Sequence, residues 1–229
     1  MLKAQKKISK REIKEDKLVT SYFEAKSWYQ ENKKLVSSVL TGLVVVVIGI
    51  VVITNNMRTN NEKATAELGK VIRYYDQGQY ELAINGNPQE NVRGLAAIVS
   101  DYGSTESGEI ATLYLANSYY AQENYDKALE FYLDVDVSDE LLSATALAGA
   151  AGCYEAKGDH ETAATYFERA AFKNGKGVLA PENIFHAAHN FSLAGKKEKA
   201  VELYKKLKKD HPTSSYARDI ERYIAEAGS

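Results

Sequence analysis

Cysteine is almost absent. Cys153 is the only one in 229 residues, so an intrachain disulfide is excluded and the folded part must be held by packing. The motifs that carry chemistry are missing as well: the chain has no HExxH, no CxxC, no Gly-x-Ser-x-Gly and no paired catalytic carboxylates at an interpretable spacing. An enzyme is therefore not expected, nor is a cofactor. His186 and His189, three apart on a predicted helix, could face one ion but have no matching acid cluster. His160 and His211 fall at predicted turns, where solvent suffices. Cys153 sits in a tightly packed predicted helix and reads as a small buried residue. The glycine-rich stretch at 174–177 lacks the spacing of a phosphate loop and precedes Pro181, which suits a first helical position. It reads as a loop between helices.

Charge of either sign is missing from residues 35–57. Within that window, residues 36–53 (VSSVLTGLVVVVIGIVVI) would span roughly 27 Å as a helix, close to the hydrocarbon thickness of a bilayer. So many β-branched residues would otherwise suggest a strand, but a lone strand leaves its backbone unpaired in lipid. The stretch is expected to be a transmembrane helix over 35–57. Ser38, Gly42 and Gly49 lie near one face of it and would let a second helix approach.

The net charge of −2 conceals a division. Ten basic residues against five acidic ones precede Val36, while nineteen basic and twenty-six acidic residues follow Ile53. Such a bias keeps the N-terminus in the cytoplasm. The apolar run ends in Thr54-Asn55-Asn56-Met57-Arg58, without the small residues that signal cleavage requires, so it reads as an uncleaved anchor. The acidic remainder argues against nucleic acid. Residues 1–17 are expected to hold little fixed structure. Residues 18–30, with Leu18, Val19, Tyr22, Phe23 and Tyr29 at helical spacing and Trp28 beside Lys33-Lys34, read as an amphipathic helix. Two roles stay open for it: a collar lying on the membrane, or a docking helix for a cytoplasmic partner.

Beyond Asn61 the chain becomes helical and rich in tyrosine. Asp76-Gln77-Gly78-Gln79 reads as a turn between two helices, Asn85-Gly86-Asn87-Pro88 as a loop, residues 94–102 as a short helix, and Gly103-Ser104-Thr105 as its end and the next helix's cap. From there the sequence repeats. LANSYYAQENYDKALEFY (115–132) aligns with AAGCYEAKGDHETAATYF (150–167) after a shift of 35 and with AAHNFSLAGKKEKAVELY (187–204) after a further 37. Four positions keep the register: Ala116, Ala151 and Ala188; Tyr119, Tyr154 and Phe191; Ala128, Ala163 and Ala200; Tyr132, Phe167 and Tyr204. Small residues let paired helices approach, and aromatic ones fill the gap to the next pair.

These residues resemble the tetratricopeptide repeat, a helix-turn-helix of 34 residues with small and aromatic positions in this order. The fold class implied is all-α: a single N-terminal transmembrane helix followed by a tetratricopeptide-repeat solenoid over 62–229. Tyr74, Gly78, Tyr80 and Ala83 look like a first unit whose second helix is displaced by the insertion at Pro88; Pro212 stands where the motif often ends, and residues 216–226 look like a terminal capping helix. Together with the anchor, the chain is similar to the ancillary SecYEG translocon subunit (YfgM-like) family of the bacterial inner membrane. That resemblance implies a cytoplasmic segment over 1–34, a periplasmic repeat domain, and partners among translocon subunits, chaperones or exported clients. A structural role in another envelope complex, for division, respiration or outer-membrane biogenesis, is the alternative. The family's groove positions fall on Leu113, Asn117, Tyr120, Glu155, Phe185, His189 and Ser192. There Asn117 and Tyr120 could bond a peptide backbone, and Leu113 and Phe185 could receive apolar side chains.

Overall fold

A computed structural model of the chain describes residues 10–173 and 177–228. It divides into two compact units, residues 1–56 and residues 57–229. The expected loop at 174–177, apart from Gly177, lies outside the described residues, as do residues 1–9 of the basic leader.

The first unit contains α1 (Lys10–Glu31) and the beginning of α2 (Lys33–Asp76). Helix α1 starts well before the expected Leu18, a correction to the unstructured leader. Its opening residues, KREIKED, are for the most part good helix formers. Val19, Tyr22, Phe23, Trp28 and Tyr29 are all exposed.

Helix α2 is 44 residues long and does not break at Met57, so the apolar window is not an element of its own. Neither proline nor glycine occurs between Ile50 and Gly69, and Arg58 pairs with Glu62 one turn on. The large apolar side chains from Val39 to Ile53 are 50 to 63 % exposed, and none of the apolar stretch is buried. This helix is long and apolar enough to cross a membrane.

The second unit is a stack of helix hairpins. The end of α2 turns at Gly78 into the short α3 (Tyr80–Asn85), and a two-residue antiparallel strand pair, β1 (Gly86–Asn87) with β2 (Val92–Arg93), interrupts the otherwise helical chain. Gly86 has φ +86°, and a side chain on either Gly86 or Gly94 would run into the other's backbone neighbourhood within 2.5 Å. Then α4 (Leu95–Tyr102) completes the displaced first unit, with Leu95 and Ile98 fully buried. Arg93 secures this insertion by pairing with Glu67 on α2 at 3.0 Å and with Asp101 on α4 at 2.6 Å.

Three regular hairpins follow: α5 (Glu106–Ala121) with α6 (Tyr125–Asp134), α7 (Glu140–Ala156) with α8 (His160–Lys173), and α9 (Ala180–Leu193) with α10 (Lys197–Asp210). The expected Thr105 cap is present, its hydroxyl accepting from the Gly108 N–H at 3.1 Å. The repeated alanines at 116, 128, 151, 163, 188 and 200 are all completely buried at the helix crossings. Residues expected to open the capping helix form a 3-10 turn at Ser215–Ala217 instead, and α11 (Ile220–Gly228) starts four residues after Tyr216. Tyr216 is drawn out of that helix to pack against Phe185, with ring centroids 5.6 Å apart.

Gly78, Gly158 and Gly195 turn their hairpins with φ of +70°, +80° and +75°, a left-handed conformation without penalty for glycine. The equivalent position of the α5–α6 hairpin is Glu123, at φ +60°. Glu123→Gly is therefore expected to stabilise the protein by roughly 0.5 to 1 kcal/mol, the left-handed cost less the extra freedom of an unfolded glycine. An unfolding free energy from urea titration that rises by that amount is the check.

Candidate functional site

Helices α5, α7 and α9 enclose an open cleft of about 460 Å³. Its position depends on two glycines one turn apart on α7. A Cβ on Gly149 would lie 2.3 Å from the Tyr132 ring, and one on Gly152 would lie 3.4 Å from Tyr120. Their bare surfaces therefore admit both rings against α7. Tyr132 is 5 % exposed and donates its hydroxyl to Asn117 Oδ1 at 2.5 Å, while burial pushes its pKa up. Tyr120 stays 37 % exposed at the cleft, with its pKa also raised by partial burial.

The far wall comes from α9. Glu182, Asn183 and His186 line it, and His186 stacks on Phe167 with centroids 5.2 Å apart. Glu155 reaches across from α7 and accepts a hydrogen bond from Asn190 Nδ2 at 2.9 Å. Asn190 is fully buried; its Nδ2 also donates to the His186 carbonyl, and its Oδ1 meets His160 Nδ1 at 2.9 Å. Since that oxygen can only accept, His160 carries its proton on Nδ1. Asn183 differs. It is 3 % exposed, no described residue bonds its carboxamide, and no side-chain N or O among the described residues is both sealed from solvent and unpartnered. The amide group therefore opens to the cleft.

Of the residues singled out in the sequence, Asn117, Tyr120 and Glu155 line this cleft together. Leu113 does not: it is 8 % exposed and packs in the core with Ala116, Tyr132 and Cys153. Phe185 is half-buried under the C-terminal turn and helix, its ring 4.9 Å from Tyr223 and 5.9 Å from Tyr204. His189 stacks parallel to Phe185 and Ser192 lies farther along α9, both outside the cleft. Ser38, Gly42 and Gly49 lie on the exposed stretch of α2, where a Cβ on either glycine would meet nothing within 4 Å. Burial pushes the Cys153 thiol up to about 11, well away from nucleophilic use at neutral pH. Among the described residues no three His, Cys, Asp or Glu gather as a metal site.

Glu182, Asn183, Thr145 and the two glycines escaped the sequence reading, and His186 was weighed there only as a metal ligand beside His189, not as part of a cleft. Their signal was faint: a polar residue, Asn183, sits beside apolar ones on a strongly patterned helix. The cleft crosses the repeats obliquely, from the C-terminal half of α5 to the N-terminal half of α9, whereas register alone carries 117 and 120 to 189 and 192.

A family model described as a tetratricopeptide repeat-like domain matches residues 26–175, and one described as a tetratricopeptide repeat matches 182–214. No curated protein matches. Among solved structures, a Podosopora anserina protein described as a kinesin light chain with nearly identical TPR-like repeats superposes with a TM-score of 0.56 at 16 % identity, covering 73 % of this chain and 86 % of its own. A variant of that protein gives the same TM-score and identity, with 85 % of its own chain covered. At that identity the likeness shows the fold alone: an all-helical solenoid of stacked hairpins. The repeated alanines and aromatic residues, the glycine-turned hairpins and a family match over well more than half the chain lead to one conclusion: this protein belongs to the tetratricopeptide repeat-like domain family.

Proposed function

We propose that the protein is a membrane-anchored scaffold that binds other proteins through the cleft between α5, α7 and α9. The apolar part of α2 crosses the bacterial inner membrane, the basic leader stays in the cytoplasm, and the repeats lie in the periplasm. There they work beside the Sec translocon and periplasmic chaperones in handling exported proteins. Three features support the anchor: the exposed apolar side chains of α2, the excess of basic residues before them, and a family match whose span from residue 26 includes them with the repeats. The observation that carries the binding role is Asn183, whose carboxamide has no partner among the described residues and opens to the cleft, where an incoming chain can bond it. Tethering would keep the cleft near its clients, so individually weak contacts suffice.

A photo-crosslinking residue at Tyr120 or Thr145, activated in intact membranes, tests this reading. Adducts with translocon subunits, chaperones or exported chains are expected, and they should disappear when the crosslinker is moved to Glu202 on α10. A single stoichiometric adduct with some other envelope complex would instead make the repeats a fixed structural subunit there.

A further inference from the structure

We propose that the cleft selects extended segments carrying lysine or arginine, the cation held by Glu155 and Glu182 and the backbone by Asn183. This rests on the cleft being a protein-binding site and adds the chemistry of what it takes. Among the described residues the lining contains two carboxylates and neither lysine nor arginine. On the outer faces three acids are paired across successive hairpins: Asp126 with Lys157, Glu161 with Lys196 and Glu168 with Lys199. The two cleft acids are not so paired. Glu155 accepts from the neutral Asn190, and neither Glu155 nor Glu182 has an ion-pair partner among the described residues.

Asn183 supplies the independent observation. Its carboxamide is nearly enclosed, has no partner among the described residues, and offers one donor group and one acceptor, the complement of a peptide unit. Tyr120 adds a partly exposed ring on which a guanidinium or ammonium can rest. An acidic segment would instead set like charges against Glu155 and Glu182.

The test uses labelled extended peptides that differ only in carrying lysine, glutamine or glutamate at alternate positions. Each is titrated by fluorescence anisotropy into the full chain in a non-ionic detergent. The lysine peptide should bind about tenfold more tightly than the glutamine peptide, the size of one charge-assisted contact, and the glutamate peptide more weakly than both. E155Q with E182Q should abolish that preference. E182Q alone, which spares the Asn190 bond, should remove part of it and serves if the double variant loses its helical spectrum. N183A should weaken all the peptides alike. E198Q with E202Q, on α10 outside the cleft, should leave the preference intact. A lysine preference that survives E155Q with E182Q, or that falls equally in E198Q with E202Q, overturns the proposal. Equal binding of all the peptides overturns the charge selection but not the cleft as a binding site. Binding of none overturns both.

Discussion

Changing Val46 and Ile48 together to arginine is expected to drive the protein out of the membrane fraction. Between Val39 and Ile53 twelve residues are Val, Ile or Leu. At roughly 0.3 to 0.6 kcal/mol each they favour insertion by about 4 to 7 kcal/mol. Each arginine removes one such contribution and adds roughly 2.5 to 3.5 kcal/mol against insertion, so the pair costs about 6 to 8 kcal/mol. The sign of the insertion free energy should therefore reverse or fall to near zero. Both side chains are 57 % exposed and touch no core, so repeat folding should be unaffected. Alkaline carbonate extraction, which leaves integral proteins in the pellet, is the measurement. Wild-type chain in the pellet and variant chain in the supernatant is the expected pattern; a variant that pellets as completely as wild type would show that α2 is not what holds the protein to the membrane.

Gly108→Ala should have the largest effect on the repeat unit. Gly108 lies in the first turn of α5, where α4 hands over to it. An added Cβ would stand 1.8 Å from the Tyr102 carbonyl oxygen and 2.5 Å from its carbon. Those are backbone atoms. They cannot rotate aside as a side chain could, so α4 must shift or the first turn of α5 must open, together with the Thr105 cap on the Gly108 N–H. The expected loss is at least about 3 kcal/mol, at the upper end for overpacking. Gly69→Ala is the control: nothing lies within 4 Å of its added carbon, and in the helix interior alanine should stabilise by roughly 0.5 to 1 kcal/mol. Urea unfolding followed by helical circular dichroism, with opposite shifts for the two variants, would bear out the reasoning; a Gly108→Ala midpoint equal to wild type would refute it.

The cleft depends on the same kind of close approach. Gly149 and Gly152 let Tyr132 and Tyr120 lie against α7, and only then does the Tyr132 hydroxyl reach Asn117. Neither glycine carries a positive φ. They are there for space, not for backbone freedom, and such a role has no local mark in a sequence.

What the sequence alone determined is whatever repeats locally. The spacing of alanine and aromatic residues at shifts of 35 and 37 prescribes which face of each helix is apolar, and Gly78, Gly158 and Gly195 mark where hairpins turn. The uncharged run at 35–57 is likewise legible, because what it excludes is set by the absence of charge along one segment. Other features were decided by tertiary structure. Glu123 takes a glycine's place, at φ +60°, in the turn between α5 and α6, where the residue type gives no sign of a left-handed backbone. Phe185 is lost to the binding surface because a distant segment, Tyr216 to Tyr223, folds over it. Asn183 meets the cleft because the opening runs obliquely across α5, α7 and α9 and reaches the N-terminal half of α9. Periodicity records the orientation of a side chain about its own helix axis; which neighbour covers it depends on the offset between helices, a quantity that no single helix encodes.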